Sequence, residues 1–322
     1  MPIFNRSITD LPKFKAELSR EPLFPLLLAD IKSGEVFPAI RNDYICFYFK
    51  GSRLFTFDLI NRFQTHIKYA AVIHSKKTYI NQADLAGGKL FASNFSDPDT
   101  YQRMKENASL HAGIEALGVA ELYAKNSIAS LTSMKCEYDG YVVLNIEIAF
   151  TNQQSSSEEI QDEDVPENVF GGKKRKKIDR LDILLLNTKN GKLRFVEAKH
   201  FTNPELWSKI GTPPKVIDQV KRYVNQVTEP AKTPQILAAY EKHLYCLDEP
   251  FGTSCKCTIP LSLDDTTPVS LWLFGFDANQ RDGRLKELLK DDKSLIDIYY
   301  YPIGNVKEVD ACKLWQNTKK GN

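Results

Sequence analysis

Residues 180–201 read RLDILLLNTKNGKLRFVEAKHF. Two apolar runs flank Thr188-Lys189-Asn190-Gly191, and Asn-Gly between such runs is a strong hairpin cue. Facing residues of an antiparallel hairpin have numbers of constant sum, and side chains alternate between faces with period two. With Lys189-Asn190 as the central pair of the turn, Asp182 lies opposite Glu197; with Asn190-Gly191 central, it lies opposite Lys199. Either way Asp182, Glu197 and Lys199 project from one face. Only a loop with an odd number of residues would break the relation.

Ile183, Leu185, Phe195, Val196 and Ala198 make these strands apolar, so the three ionisable groups are expected in a buried setting. Charges there cost several kcal/mol unless they are paired or bound to a metal. An ion pair between Lys199 and one carboxylate would leave the other acid uncompensated. Two acids converging from adjacent strands instead form a hard, oxygen-rich nest for Mg²⁺ or Mn²⁺, to which the Ala198 carbonyl can add a donor. Lys199, one alternation beyond Glu197, can orient a water or neutralise charge on a phosphate.

Outward from the hairpin, GYVVLNIEIAF (140–150) reads as a preceding strand. A helix is expected from Asp97 as cap and Pro98 in the first turn. Its stripe runs through Leu110, Ile114, Leu117, Ala124, Ile128 and Leu131, with Glu121 filling the one gap, either paired outward with Lys125 or held for a task. Downstream, Gly211-Thr212-Pro213-Pro214 launches a helix with Thr212 as its cap and Val216, Val220, Tyr223 or Val224, and Val227 on its buried side. A second helix follows Thr233-Pro234, and VSLWLFGFD reads as an interior strand. The order helix, strand, hairpin, helix, strand predicts an α/β sandwich around a mixed sheet.

At this point the residues resemble a known superfamily. Asp182 followed by Glu197-Ala198-Lys199 matches the signature of PD-(D/E)xK, or restriction-endonuclease-like, nucleases. Gln219-Val220-Lys221-Arg222-Tyr223 looks like the Q-x-x-x-Y motif of the RecB-like branch, with Gln219 and Tyr223 one helical turn apart. The resemblance covers about residues 100 to 280. It implies a restriction-endonuclease-like α/β/α sandwich and a Mg²⁺- or Mn²⁺-dependent nuclease that acts on DNA. Asp182, Glu197, Lys199, Gln219 and Tyr223 would then be catalytic, with Asp182, Glu197 and the Ala198 carbonyl on the metal. Glu121 matches the place of a helical carboxylate that completes the metal site, ahead of Glu115 and Glu147. RNA cleavage, or a nucleic-acid-binding scaffold without catalysis, are the competing readings, and partner proteins or a homo-oligomer are compatible with all of them.

The remaining chain frames this centre. Residues 1–95 hold a short amphipathic segment, Leu11 to Leu18, then VFPAIR, YICFYFKG, RLFTFDL and IKYAAVIH, which predict a β-rich N-terminal domain. Residues 96–322 form the nuclease-like domain, interrupted at 151–177 by a polar insertion. Its acidic half precedes the run Lys173, Lys174, Arg175, Lys176 and Lys177, which either contacts phosphates or is solvated and neutralised by that half. Lys221 and Arg222 stand between the same alternatives. Asp179 offers a rival first acid, but its odd spacing places it on the other face from Asp182. His200, by the same parity, faces away from Lys199.

Over 322 residues, Lys+Arg at 43 against Asp+Glu at 41 gives no overall electrostatic pull towards nucleic acid. No apolar stretch is long enough to span a bilayer and none reads as a secretory signal. Six scattered cysteines argue against a disulfide framework and for a reduced, cytoplasmic setting. Cys246, Cys255 and Cys257, with His243 nearby, lack the spacing of common zinc sites and are expected to be ordinary thiols.

Overall fold

The computed structural model describes residues 4–70, 77–85, 94–130, 140–150, 180–207, 212–253, 257–290, 295 and 297–321. The polar insertion 151–177, with its basic run from Lys173 to Lys177, lies outside the described residues, as do Asp179 and Cys255.

Two helices open the chain, α1 (Leu11–Arg20) and α2 (Phe24–Ser33). Asp10 caps α1 by accepting from the Lys13 amide at 3.1 Å, and Leu11, Phe14 and Leu18 form its buried face. They lie on a five-stranded antiparallel meander of β1 (Val36–Ile40), β2 (Ile45–Phe49), β3 (Ser52–Asp58), β4 (Arg62–His66) and β5 (Tyr79–Asn81). The expected β-rich segment is therefore present, with one correction. Its fourth strand is Arg62–His66 rather than IKYAAVIH; Ile67 to Ala70 form turns, and the rest of that segment lies outside the described residues. A short helical turn, α3 (Gln82–Leu85), follows.

The long helix expected after Asp97 is two helices. α4 (Pro98–Leu110) is capped by Asp97, which accepts from the Thr100 amide at 2.8 Å, and α5 (Ile114–Asn126) begins after Gly113. The stripe that suggested one helix is not buried at its start: Leu110 is 81% exposed and Ile114 53%. α5 instead buries Gly118, Val119, Ala120, Leu122 and Tyr123.

The second sheet carries the hairpin. β6 (Tyr141–Ala149), β7 (Arg180–Asn187) and β8 (Lys192–His200) are antiparallel neighbours, and β10 (Val269–Phe274) lies parallel to β8 on its other side. β11 (Tyr299–Ile303) and β12 (Lys319–Lys320) extend the sheet, and β9 (Ser262–Leu263) pairs with the start of β8. Between β8 and β10 the chain passes through α6 (Lys215–Thr228) and α7 (Thr233–Phe251). This is the mixed α/β arrangement expected from the order of elements. α6 starts two residues later than expected, after Pro214, and Thr212 is not its cap.

Alternation along the strands separates two apolar layers. Leu184, Leu186, Leu193, Phe195, Leu271 and Leu273 face α6 and α7 in a core that also takes in α1, α2 and one face of the meander. Ile183, Leu185, Val196, Ala198, Trp272 and Phe274 face α5 and the C-terminal helix α8 (Ala311–Gln316). Strand β6, at the sheet edge, is covered by the N-terminal residues. Arg41 donates to the carbonyls of Ile146 at 2.9 Å and Glu147 at 3.2 Å, and Arg6 to that of Ala149 at 3.0 Å. Edge groups that would template further pairing are thereby satisfied. Among the described residues no helix is long and apolar enough to cross a membrane.

Candidate active site

The hairpin loop has four residues, because Asn187 pairs with Lys192, and Gly191 takes the left-handed conformation (φ 70°) that ends it. Four is even, so Lys189-Asn190 is the central pair and the pairing sum is 379, as in Ile183 with Val196. That register sets Asp182 beside Glu197. The Ala198 amide donates to Asp182 Oδ2 at 2.6 Å, which locks the acid to the opposite strand.

The next strand adds a third carboxylate. β6 is out of step by one residue between Val143 and Asn145, and beyond this bulge its pairing sum with β7 is 329. Glu147 is thereby brought level with Asp182, in a left-handed conformation (φ 50°), and its charge acts on Asp182. Without the bulge, Ile146 would occupy that level.

Glu197 is 2% exposed and Lys199 6%. The Lys199 ammonium bridges Glu197 Oε1 at 2.9 Å and Glu205 Oε2 at 3.0 Å. From α6, Gln219 Nε2 donates to Glu197 Oε1 at 2.7 Å and to the Tyr223 hydroxyl at 3.1 Å. That hydroxyl in turn donates to the Arg180 carbonyl at 2.6 Å, tying α6 to the start of β7. The two motif residues of α6 therefore reach the hairpin acids through one hydrogen-bonded chain. Glu197 Oε1 is fully engaged, whereas its other oxygen, Oε2, is buried without a hydrogen-bond partner. A buried acceptor left this way costs free energy, and such atoms are uncommon in folded proteins.

Electrostatics follow the geometry. Burial raises the Asp182 carboxyl well above the usual carboxylate range, and Glu197 and Glu147 add to the rise against the Ala198 amide and Lys199. Burial likewise pushes Glu197 up to about 7, opposed by Lys199 and reinforced by Glu115 and Glu205. For Lys199, burial alone would favour the neutral amine, but the surrounding acids outweigh it and hold the ammonium. Acids thus crowd around a single lysine, a field that favours an added cation.

The helical carboxylate at this end of the sheet is Glu115, not Glu121. Glu115 Oε1 accepts the His200 amide at 3.0 Å and the Asn203 side-chain amide at 2.7 Å, and its charge acts on Glu197 and Lys199. Glu121 lies six residues on, about 9 Å along the helix and a third of a turn off that face. The sequence pattern favoured Glu121 because it assumed an unbroken helix, and Gly113 was the signal against that. Glu205 was missed altogether. It sits in the turn Pro204–Leu206, where the Asn203 side chain accepts its amide at 2.8 Å, an Asn-Pro-Glu start that is legible as a cap.

Other expected residues fall elsewhere. His200 turns away, as parity required: its ring packs on Phe274 and its Nδ1 lies 2.8 Å from the Thr202 hydroxyl. Lys221 is exposed, 3.7 Å from Asp297, and Arg222 is exposed on the same helix. Cys246 is buried and accepts the Ile8 amide at 3.4 Å.

Asp182 and Glu197 are the side chains placed to hold a divalent cation, with the Ala198 backbone alongside. Among the described residues no three of His, Cys, Asp and Glu converge as a metal cage of their own. Mg²⁺ is commonly held by one or two carboxylates, with waters and substrate phosphate completing its shell, so this donor set fits it. The unpartnered Glu197 Oε2 fits it too. No protein-family model, curated protein or solved structure matches the chain.

Proposed function

We propose that this chain is a divalent-metal-dependent nuclease with a restriction-endonuclease-like core, cutting phosphodiester bonds of nucleic acid, with DNA as the first substrate to test. The observation that carries the reading is the buried, partnerless Oε2 of Glu197, next to Asp182 and within one hydrogen-bond chain of Lys199, Gln219 and Tyr223. An internal ion pair accounts for only one oxygen of Glu197. Asp182 and Glu197 would hold the cation, which when bound supplies a Lewis acid for the phosphate and eases deprotonation of the attacking water.

The protein's own groups have defined tasks. Lys199 uses two of its three donors on Glu197 and Glu205, and the third is available to a phosphate oxygen or the attacking water. Gln219 fixes the rotamer of Glu197, and Tyr223 fixes Gln219. Glu115 and Asn203 hold the turn that delivers Glu205.

The test is cleavage of linear and circular, single- and double-stranded DNA, and of RNA, by wild type and Lys199→Ala in Mg²⁺, Mn²⁺ or EDTA. Metal-dependent cutting that drops by about a hundredfold or more in a folded Lys199→Ala is expected. Wild type that leaves every substrate intact in both metals would end the nuclease reading.

A further inference from the structure

A second feature stands at the same end of the sheet as the acid centre. β8 and β10 run parallel with Leu273 opposite Lys199, so the two strands end beside one another. The chain leaving β8 passes through the turn Pro204–Leu206 to Trp207. The chain leaving β10 passes through the short helical turn Ala278–Gln280, capped by Asp277, to Arg284. There the two meet: the Arg284 guanidinium lies over the Trp207 ring, 3.8 Å from its centroid.

The platform is tied to the site. Trp207 Nε1 donates to the Phe201 carbonyl at 3.0 Å, and the two rings make a T-shaped contact at 4.9 Å. Phe201 follows Lys199 by two residues, at most about 7 Å of chain. Glu205, two residues before Trp207, is the carboxylate that pairs with Lys199 at 3.0 Å. On the other side, buried Leu285 anchors the segment Arg281–Leu285, which departs from helical geometry at Gly283. Stacking occupies the face of a guanidinium and leaves the N–H donors in its plane untouched. Arg194, stacked on Trp315 at 4.2 Å, is buried and spends those donors on Asp264 and the Trp315 carbonyl. Arg284 is exposed, and among the described residues it makes no hydrogen bond or ion pair, although Asp282 and Glu287 stand two and three positions away. Its fork is thus oriented by the indole with its donors still open, and a planar fork suits two oxygens of one phosphate.

We infer that Arg284, held flat on Trp207, binds a backbone phosphate of the nucleic-acid strand within a few nucleotides of the phosphate at Asp182 and Glu197. The contact fixes the path of the strand across the end of the sheet and carries no base preference. The inference takes the identity of its ligand from the nuclease reading.

The experiment is fluorescence anisotropy of a labelled DNA of about 20 nucleotides, single-stranded and duplex, titrated with the full chain in EDTA over a salt series. Arg284→Gln should weaken binding roughly fivefold and lower the slope of log Kd against log salt by about one. Arg284→Lys, which keeps the charge without the fork, should keep the slope and still lose roughly twofold or more in affinity. Lys286→Gln, which removes an exposed cation two residues on, should change neither. Wild-type affinity and slope in Arg284→Gln overturn the inference, as does a wild type with no affinity for either probe. An equal loss in Lys286→Gln also overturns it, since that reports the charge of the segment and not a seated fork. Wild type that binds with these slopes but never cuts brings down the nuclease reading alone. Wild type that cuts while Arg284→Gln binds normally brings down the Arg284 contact alone.

Discussion

At Glu197 burial, opposed by Lys199 and reinforced by Glu115 and Glu205, pushes the carboxyl up to about 7 from an ordinary 4.5. The sign of its linkage is clear. The unfolded chain releases this proton near 4.5 and the folded chain near 7, so the folded state holds more protons between the two. Stability of the metal-free protein therefore falls as pH rises through that window, by up to roughly 3 kcal/mol, and is level above it. Asp182, raised for the same leading reason, acts in the same direction. Thermal melts in EDTA should show a lower Tm at pH 7.5 than at pH 5, and Glu197→Gln should flatten the difference. Mn²⁺ should raise Tm at pH 7.5 and do little at pH 5, where the proton competes for the same oxygens. Tyr223→Phe should cost about 1 kcal/mol by denaturant melts, through the lost hydroxyl bond to Arg180. Asp182, Glu197, Lys199, Gln219 and Tyr223 could all be placed from sequence because strand parity and one helical turn fix relative positions locally. Glu115, Glu147 and Glu205 could not, because each depends on a helix break, a bulge or a loop path that brings distant segments together.

Among the elements, α5 packs closely on β10 where Gly118 faces Phe274. A Cβ at Gly118 would lie 2.4 Å from that ring, which is buried against Trp272 and His200 and has no room to yield. Gly118→Ala, ordinarily favourable in a helix by up to about 1 kcal/mol, should here destabilise by roughly 1–3 kcal/mol. The same variant should reduce cleavage, since α5 carries Glu115 to its hydrogen bonds with His200 and Asn203. A Gly118→Ala variant with a raised Tm in urea or thermal melts would refute this packing. Elements with strong local signals were legible: the hairpin, the apolar strand β10, and α4 with its Asp-Pro start. The α4–α5 corner was not, because Leu110, Ile114 and Leu117 keep a helical period although the first two stand in solvent.

For the whole molecule, the expected boundary near residue 95 separates two sheets but not two cores. Apolar residues of α1, α2 and the meander lie in one cluster with those of α6, α7 and the hairpin strands. Phe4 stacks on Phe150 at 5.4 Å, and Arg41 and Arg6 cap the edge of β6. A chain built this way should unfold in one cooperative transition, with far- and near-ultraviolet circular dichroism changing together. Arg41→Met, which strips donors from buried carbonyls, should destabilise it by about 2–4 kcal/mol. Two separate transitions would show that the meander is an appended unit. The β-rich character of this region was visible in its aromatic and β-branched runs, whereas its docking on β6 rests on long-range contacts that no local pattern encodes.

The most direct measurement is calorimetric titration of the full-length protein with Mn²⁺ at pH 7.5, beside Asp182→Asn and Glu197→Gln. A site in wild type that both variants lose while remaining folded is the expected result, because the open oxygen of Glu197 and its neighbour Asp182 would then be cation ligands. Wild type that takes up no Mn²⁺, or variants that bind it as well as wild type, would contradict the account at its centre.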